Sequence, residues 1–87
     1  EVAELSENRP NPFNGYTEID YIIPSQAQNA KLNIYNFNGV MIKTVELDHV
    51  GQGTIKVDAF NIPSGTYTYT LVVDNKVIET KKMTLAK

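Results

Sequence analysis

Apolar and polar residues alternate with a period of two along most of this chain, and no stretch has the 3.6-residue period of an amphipathic helix. The clearest case is Tyr16–Ile23, where every second residue from Thr17 onward suits one buried face. Similar patterns predict strands over residues 30–35, 40–47, 54–59 and 66–73, with a mobile, glycine-containing loop at 48–53. Residues 1–9 carry few apolar side chains and are predicted to form a linker or a short first strand.

The turn after the 30–35 strand determines how that strand pairs with the next one. A two-residue Asn-Gly turn would place Ile34 opposite Lys43, whereas a three-residue loop with Gly39 in the left-handed bulge position places Ile34 opposite Ile42. The second register keeps one face apolar, and Asn36 is a preferred first residue of a type I turn. We therefore predict the three-residue loop, a positive φ at Gly39 and the Ile34–Ile42 pair.

The last hairpin contains a conflict of parity. A two-residue turn at 74–75 would pair Leu71 with Ile78. Ile78 and Met83 have opposite parity, so a regular strand cannot direct both of them into the core. The pattern predicts either a bulge in the last strand or two halves that bury opposite faces.

Two further features indicate an immunoglobulin-like arrangement. Tyr67 follows Gly65 by two residues at the start of the penultimate strand, the position of a tyrosine corner, so we expect its hydroxyl to bond backbone within residues 61–65. Two prolines and an Asn-Gly pair make residues 10–15 a rigid corner. Because short strands recur at about ten-residue intervals, we predict an all-β fold, an immunoglobulin-like antiparallel β-sandwich of about seven strands.

Composition agrees with this fold and removes several classes of function. Of the 87 residues, 32 are Thr, Val, Ile, Tyr or Phe, and the length predicts a single domain over residues 1–87. A net charge of −2 offers no electrostatic attraction for nucleic acid or an anionic membrane. The absence of cysteine excludes disulfides and thiol chemistry. No secretory signal peptide opens the chain, so a secreted form would be a fragment of a longer protein.

Residues suited to catalysis or metal binding are too few to form a recognisable site. His49 is the only histidine, and Asp48, its neighbour in sequence, is poorly placed to orient its ring in a hydrolytic triad. Glu18 and Asp20 lie on one side of their strand about 7 Å apart, but solvated outer-face charges are the simpler interpretation. The chain has no calcium loop and no recognisable spacing of zinc ligands. We expect no enzyme activity, no metal site and no cofactor.

Two surface features leave alternatives open. The aromatic residues Tyr16, Tyr35 and Phe37 could form a platform for sugars, or they could pack at the rim of the core. Charge is also uneven, because residues 1–20 hold five acidic residues against one arginine, whereas residues 76–87 hold four lysines against one glutamate. These charges are either solvated side chains that discourage edge pairing or, at the C-terminal end, a basic segment that a partner recognises.

Several stretches, taken in order, resemble one family. They are residues 5–14 with proline-asparagine-proline-phenylalanine, 32–39 with an asparagine-glycine turn, 62–71 with proline-serine-glycine-x-tyrosine, and 80–85 with a double lysine. Together they resemble the type A C-terminal sorting domain of the type IX secretion system of Bacteroidetes, over essentially the whole chain. The candidate residues of the sorting motif are Pro10, Asn11, Pro12, Phe13, Asn14, Gly39, Pro63, Gly65, Tyr67, Lys81 and Lys82.

The resemblance implies a non-catalytic sorting signal at the C-terminus of a larger cargo protein. Such cargo enters the periplasm by a separate N-terminal signal, crosses the outer membrane through a translocon, and is secreted or held at the cell surface. A surface cysteine protease, acting as a sortase, commonly removes the domain. Exposed lysines at 81 and 82 would offer charge and a strand edge to a receptor, in a mode similar to strand addition.

The chain departs from the family pattern at a few positions. Arg9 stands where an aromatic residue is usual, Asn36 stands where Asp is common, and Ala86 and Lys87 replace a more apolar ending. Asn substitutes for Asp in turns, so the hairpin chemistry is preserved. The alternative function is an immunoglobulin-like accessory module of an extracellular protein, acting as a spacer or in adhesion or carbohydrate binding. The identity of the preceding domain would discriminate between the two.

Overall fold

The computed structural model describes residues 2–59 and 61–87, so Glu1 and Phe60 lie outside the described residues. Its strands are β1 (Glu4–Leu5), β2 (Tyr16–Ile23), β3 (Ala30–Tyr35), β4 (Met41–Glu46), β5 (Gly51–Asp58), β6 (Gly65–Val73) and β7 (Lys76–Leu85). They form two antiparallel sheets with the orders β1-β2-β5 and β4-β3-β6-β7. In this part of the chain no helix is long and apolar enough to span a membrane. The predicted all-β, immunoglobulin-like sandwich is confirmed.

The first sheet follows the sequence pattern, with one difference in β5. β2 has the predicted bounds, and its inward side chains from Thr17 to Ile23 are buried. Within residues 1–9, β1 corresponds to the short-strand alternative and pairs with β2. β5 begins at Gly51 instead of 54, because Gly51 to Gly53 continue the ladder along the whole of β2. The predicted mobile loop at 48–53 is therefore wrong in its second half, since tertiary pairing overrides the low strand propensity of glycine.

The β3–β4 hairpin has the predicted loop but a different register. Gly39 has a φ of 80°, and its amide donates to the carbonyl of Asn36 at 2.9 Å. A bulge at Ile42 then adds one residue to β4, so Ile34 pairs with Lys43 and the predicted Ile34–Ile42 pair is wrong. β4 is an edge strand with mostly exposed side chains, so burial does not enforce the apolar register there.

The β6–β7 hairpin resolves the parity conflict with a second bulge. The predicted two-residue turn at 74–75 is present, with φ values of 50° and 67°, both positive as in a type I′ turn. Leu71 pairs with Glu79, and Ile78 is the extra residue, so the predicted Leu71–Ile78 pair is wrong and the bulge alternative is confirmed. The bulge directs Met83 into the core while Ile78 stays partly exposed.

The core lies between the two sheets. Its largest fully buried side chains are Tyr69, Ile19, Ile23, Leu32, Ile34, Leu71, Met83, Leu85 and Thr17. The Tyr69 hydroxyl donates to the Ser6 carbonyl at 2.7 Å, which ties the N-terminal segment to β6, and burial raises the pKa of Tyr69 to about 12. The predicted tyrosine corner is also present, because the Tyr67 hydroxyl donates to the Pro63 carbonyl.

The hydrogen bond of the tyrosine corner can be tested directly by mutation. We expect Tyr67→Phe to lower the free energy of unfolding by about 1 kcal/mol, because the Pro63 carbonyl loses a partly buried donor. Urea denaturation followed by circular dichroism measures the change. Tyr16→Phe, at a half-exposed position in β2, is the matched control and should change stability by less than about 0.5 kcal/mol. Equal stability of the Tyr67 variant and the wild type would contradict the corner.

Candidate recognition surface

Residues 10–14 cross from the edge of the first sheet to the edge of the second, where they hold the end of β7. The Phe13 amide donates to the Thr84 carbonyl at 2.9 Å, and the Ala86 amide donates to the Phe13 carbonyl at 2.8 Å. The Thr84 amide donates to the side-chain oxygen of Asn11 at 3.0 Å. Phe13 is 2% exposed and pairs in parallel with Leu85. We name these contacts of Asn11 and Phe13 with residues 84–86 the terminal clip; they join the first and last sequence motifs.

The buried side chains of Asn8 and Thr17 bind the backbone at Pro10, just before the residues of the clip. The Asn8 amide donates to the Thr17 hydroxyl at 3.0 Å and to the Pro10 carbonyl at 3.2 Å, and the Thr17 hydroxyl donates to the same carbonyl at 2.9 Å. The sequence pattern did not predict a structural role for Asn8. The available signal was Thr17, a polar residue on an otherwise apolar inward face, since a buried hydroxyl requires a partner.

The central motif also contacts the C-terminal end. Ser64, between Pro63 and Gly65, accepts a hydrogen bond from the Lys87 amide at 3.0 Å. Gly65 pairs with Leu85 at the first position of the β6–β7 ladder. These contacts place the 61–65 loop beside the terminal clip.

Most candidate motif residues therefore lie at one end of the sandwich. We name this end the motif end; it comprises residues 10–15, 36–40, 61–65 and 85–87. The β3–β4 turn belongs to it because Tyr35, the last residue of β3, pairs with Thr68 near the start of β6. Of the candidate residues, Lys81 and Lys82 lie farther along β7, opposite Tyr69 and Thr68.

The two lysines of the double-lysine motif have different environments. Lys81 Nζ lies 3.1 Å from a Glu79 carboxylate oxygen and 3.3 Å from a Glu7 carboxylate oxygen, and its side chain is 21% exposed. The hydrogen bonds with Glu79 and Glu7 raise the pKa of Lys81 above its usual value. Lys82 is exposed, and within the described residues it has no ion-pair partner. The prediction of two exposed lysines is therefore correct for Lys82 and wrong for Lys81.

Comparison with known proteins identifies the family of this chain. The family described as "Secretion system C-terminal sorting domain" matches residues 9–86. The chain belongs to this family. The terminal clip and the motif end are thus features of a sorting domain, and the resemblance to the type IX system of Bacteroidetes is confirmed. No curated protein sequence matches the chain significantly.

Two solved structures match the sorting domain in a structural comparison. One is a biofilm-associated protein with a BSP domain, at 14% identity and a TM-score of 0.65; the match covers 95% of this chain but only 15% of that one. The other is the CARDB domain of a Pyrococcus furiosus protein solved with di-metal ions, at 18% identity and a TM-score of 0.48, covering 99% and 90% of the two chains. At 14% identity, the similarity to the biofilm-associated protein concerns the fold alone.

In the acidic pair on β2 of the sorting domain, Asp20 is engaged by neighbouring side chains. Asp20 forms an ion pair with Arg9 and accepts a hydrogen bond from the Thr54 hydroxyl at 2.7 Å. The hydrogen bond from Arg9, followed by that from Thr54, lowers the pKa of Asp20 below its usual value. A carboxylate held in its ionised form is a poor general acid, so Asp20 fits the predicted outer-face charge better than a catalytic acid.

The single histidine has two polar neighbours. His49 Nε2 lies 3.3 Å from the Tyr21 hydroxyl, and Asp48 Oδ1 lies 3.8 Å from Nδ1, which is beyond hydrogen-bond distance. Across residues 2–59 and 61–87, no three side chains of His, Cys, Asp or Glu gather as potential metal ligands.

The three candidate aromatic residues are divided between the two sheets. Tyr16 lies in β2 of the three-stranded sheet, with Lys56 Nζ 4.7 Å from its ring centroid. Tyr35 and Phe37 belong to the β3–β4 hairpin of the other sheet.

Proposed function

We propose that residues 1–87 act as a single, non-catalytic sorting domain that directs a larger cargo protein from the periplasm across the outer membrane, to the cell surface or the medium. The terminal clip carries this proposal, because it gathers motif residues from both ends of the chain into one unit. A receptor that binds the motif end would therefore select folded domains with an intact C-terminal strand. The partners we propose are an outer-membrane translocon and a sortase-like surface cysteine protease.

The motif residues divide into three roles in this proposal. Residues 10–14, Gly39 and the 63–67 segment shape the motif end, because they form its turns, its tyrosine corner and its clip. Lys82 contacts the receptor, because its ammonium group is exposed and pairs with no carboxylate among the described residues. Lys81 instead links β7 to the N-terminal segment through Glu7.

The proposal predicts the destination of a reporter protein. A periplasmic reporter with its own signal peptide, fused before residues 1–87, should reach the surface or medium of a host with the type IX system. Deletion of residues 76–87 should leave it in the periplasm, although this also removes the whole of β7. Lys82→Glu keeps the fold, since exposed substitutions change stability by no more than about 0.5 kcal/mol, and should lower the exported fraction.

Lys76→Glu is the matched control, because Lys76 is exposed on the same strand at its other end and the change in charge is identical. Fractionation of cells followed by immunoblotting measures export. Retention of the wild-type fusion in the periplasm would contradict the sorting function and favour the accessory-module alternative. Normal export of Lys82→Glu would contradict the role of Lys82 but leave the sorting function in place.

A further inference from the structure

The β3–β4 hairpin exposes a cluster of large apolar side chains that the fold does not use. Phe37 is 86% exposed, and Val40, Met41 and Ile42 are exposed beside it. We name these four residues the apolar tip. Single apolar residues on a surface are ordinary, whereas several large exposed apolar residues within one hairpin are typical of an interaction site.

The turn that carries Phe37 is held rigidly. The Asn36 side-chain oxygen accepts hydrogen bonds from the amides of Asn38 and Val40 at 2.9 and 3.0 Å. The Asn36 amide donates to the Val40 carbonyl at 2.9 Å, and Gly39 adopts the left-handed conformation that the loop requires. Because the backbone is already ordered, Phe37 can enter a pocket at little cost in conformational entropy.

The bulge at Ile42 is part of this arrangement. A regular ladder would pair Ile42 with the buried Ile34, but the extra residue places Lys43 opposite Ile34 and leaves Ile42 exposed. Bulges commonly redirect a side chain at a functional edge. The bulge therefore removes an apolar pair from the sheet and exposes Ile42 near the tip of the hairpin.

Charge and area indicate what covers the tip. Residues 32–42 contain no charged side chain, which disfavours an anionic membrane surface, since such surfaces bind clusters of Lys and Arg. A symmetric contact between two copies would involve four side chains from each, well short of the ~800 Å² per partner of a stable interface. A protruding aromatic residue is instead suited to a concave apolar pocket, the usual form of an interface hot spot. Two residues of the tip, Phe37 and Val40, also belong to the motif end.

We propose that Phe37 inserts into an uncharged, apolar pocket of the outer-membrane translocon, and that the rest of the apolar tip packs around the rim of that pocket. This inference rests on the proposed sorting function and names the surface by which the domain docks. It assigns a role to a residue that contributes nothing to the core.

The test uses the reporter fusion described above, with Phe37→Asp as the variant. Val77→Asp is the matched control, because Val77 is also largely exposed in the same sheet but lies beside the β6–β7 turn, at the opposite end. Both variants should melt at the wild-type temperature. Phe37→Asp should reduce the rate of export by about tenfold or more, the usual effect of removing a hot-spot residue, and Val77→Asp should leave it unchanged. A benzophenone amino acid at position 37, and not one at position 77, should cross-link to the translocon.

Other outcomes overturn the inference. If the Phe37→Asp variant is exported at the wild-type rate, Phe37 has no docking role. The sorting function would still hold in that case, because the unmutated fusion is exported. Cross-links between two copies, with sedimentation of the fusion as a dimer that Phe37→Asp dissociates, would assign the tip to self-association. Binding to phosphatidylglycerol vesicles that Phe37→Asp abolishes would assign it to the membrane. Failure of the unmutated fusion to leave the periplasm would overturn both proposals.

Discussion

Phe13→Ala is expected to lower the free energy of unfolding by about 3–5 kcal/mol, the usual loss when a buried phenylalanine is truncated. Phe13 is 2% exposed, belongs to the buried core and pairs with Leu85 within the terminal clip. A sandwich of this size has a total stability of only a few kcal/mol, so the variant should be largely unfolded. Urea denaturation and the near-ultraviolet circular dichroism spectrum measure this loss.

Phe37→Ala is the matched control, because it removes the same atoms from a side chain that is 86% exposed. It should change stability by less than about 0.5 kcal/mol. If Phe13→Ala does not fold at all, Phe13→Leu provides a milder change with an expected loss of about 1.5 kcal/mol or less. A loss below about 1 kcal/mol in Phe13→Ala would show that the clip does not anchor this part of the core.

Gly53→Ala is expected to destabilise the domain by about 2–3 kcal/mol, because the added methyl group would overlap the Tyr21 ring. Gly53 pairs with Tyr21 in the β2–β5 ladder, and the Tyr21 ring lies across it. A Cβ atom at position 53 would overlap the Tyr21 hydroxyl oxygen and Cζ, and would lie 2.9 Å from His49 Nε2. The tyrosine is buried, so relief requires movement of the ring or of the strand. Chemical denaturation measures the change.

Gly15→Ala is the control for this prediction, since no atom lies within 4 Å of the added methyl group. It should change stability by less than about 0.5 kcal/mol. A double-mutant cycle identifies the cause: in a Tyr21→Val background, Gly53→Ala should cost much less than in the wild type. Equal costs in both backgrounds would show that Tyr21 is not the group that the methyl displaces.

The local pattern of the chain predicts which segments are strands and which faces are buried. β2 has the predicted bounds, and Tyr67, Tyr69 and Leu71 share the predicted inward face of β6. These features follow from the two-residue period of a strand and need no knowledge of its partner. The turns at Gly39 and at 74–75 were predictable for a similar reason, because positive φ restricts the choice of residues.

The register of the edge strands was not predictable in the same way. Both wrong pairs, Ile34 with Ile42 and Leu71 with Ile78, involve an isoleucine that a bulge displaces from the ladder. A period of two identifies the apolar face, but it cannot show where one strand gains a residue relative to its neighbour. The parity of Ile78 and Met83 signalled the second bulge, whereas β4 contains no comparable conflict.

The motif residues could be identified in the chain, but their mutual contacts could not. The order of the motifs indicated a sorting domain, and the family match over residues 9–86 confirmed it. Local periodicity contains no information on contacts such as the ion pair between Glu7 and Lys81, which are 74 positions apart, or the terminal clip of Phe13 on Thr84. Strand positions and faces depend on neighbouring residues and were therefore present in the sequence. The bulges depend on how neighbouring strands of one sheet pair. The clip and the Glu7–Lys81 ion pair depend on how the N-terminal segment meets β7, because they join distant segments that only folding brings together.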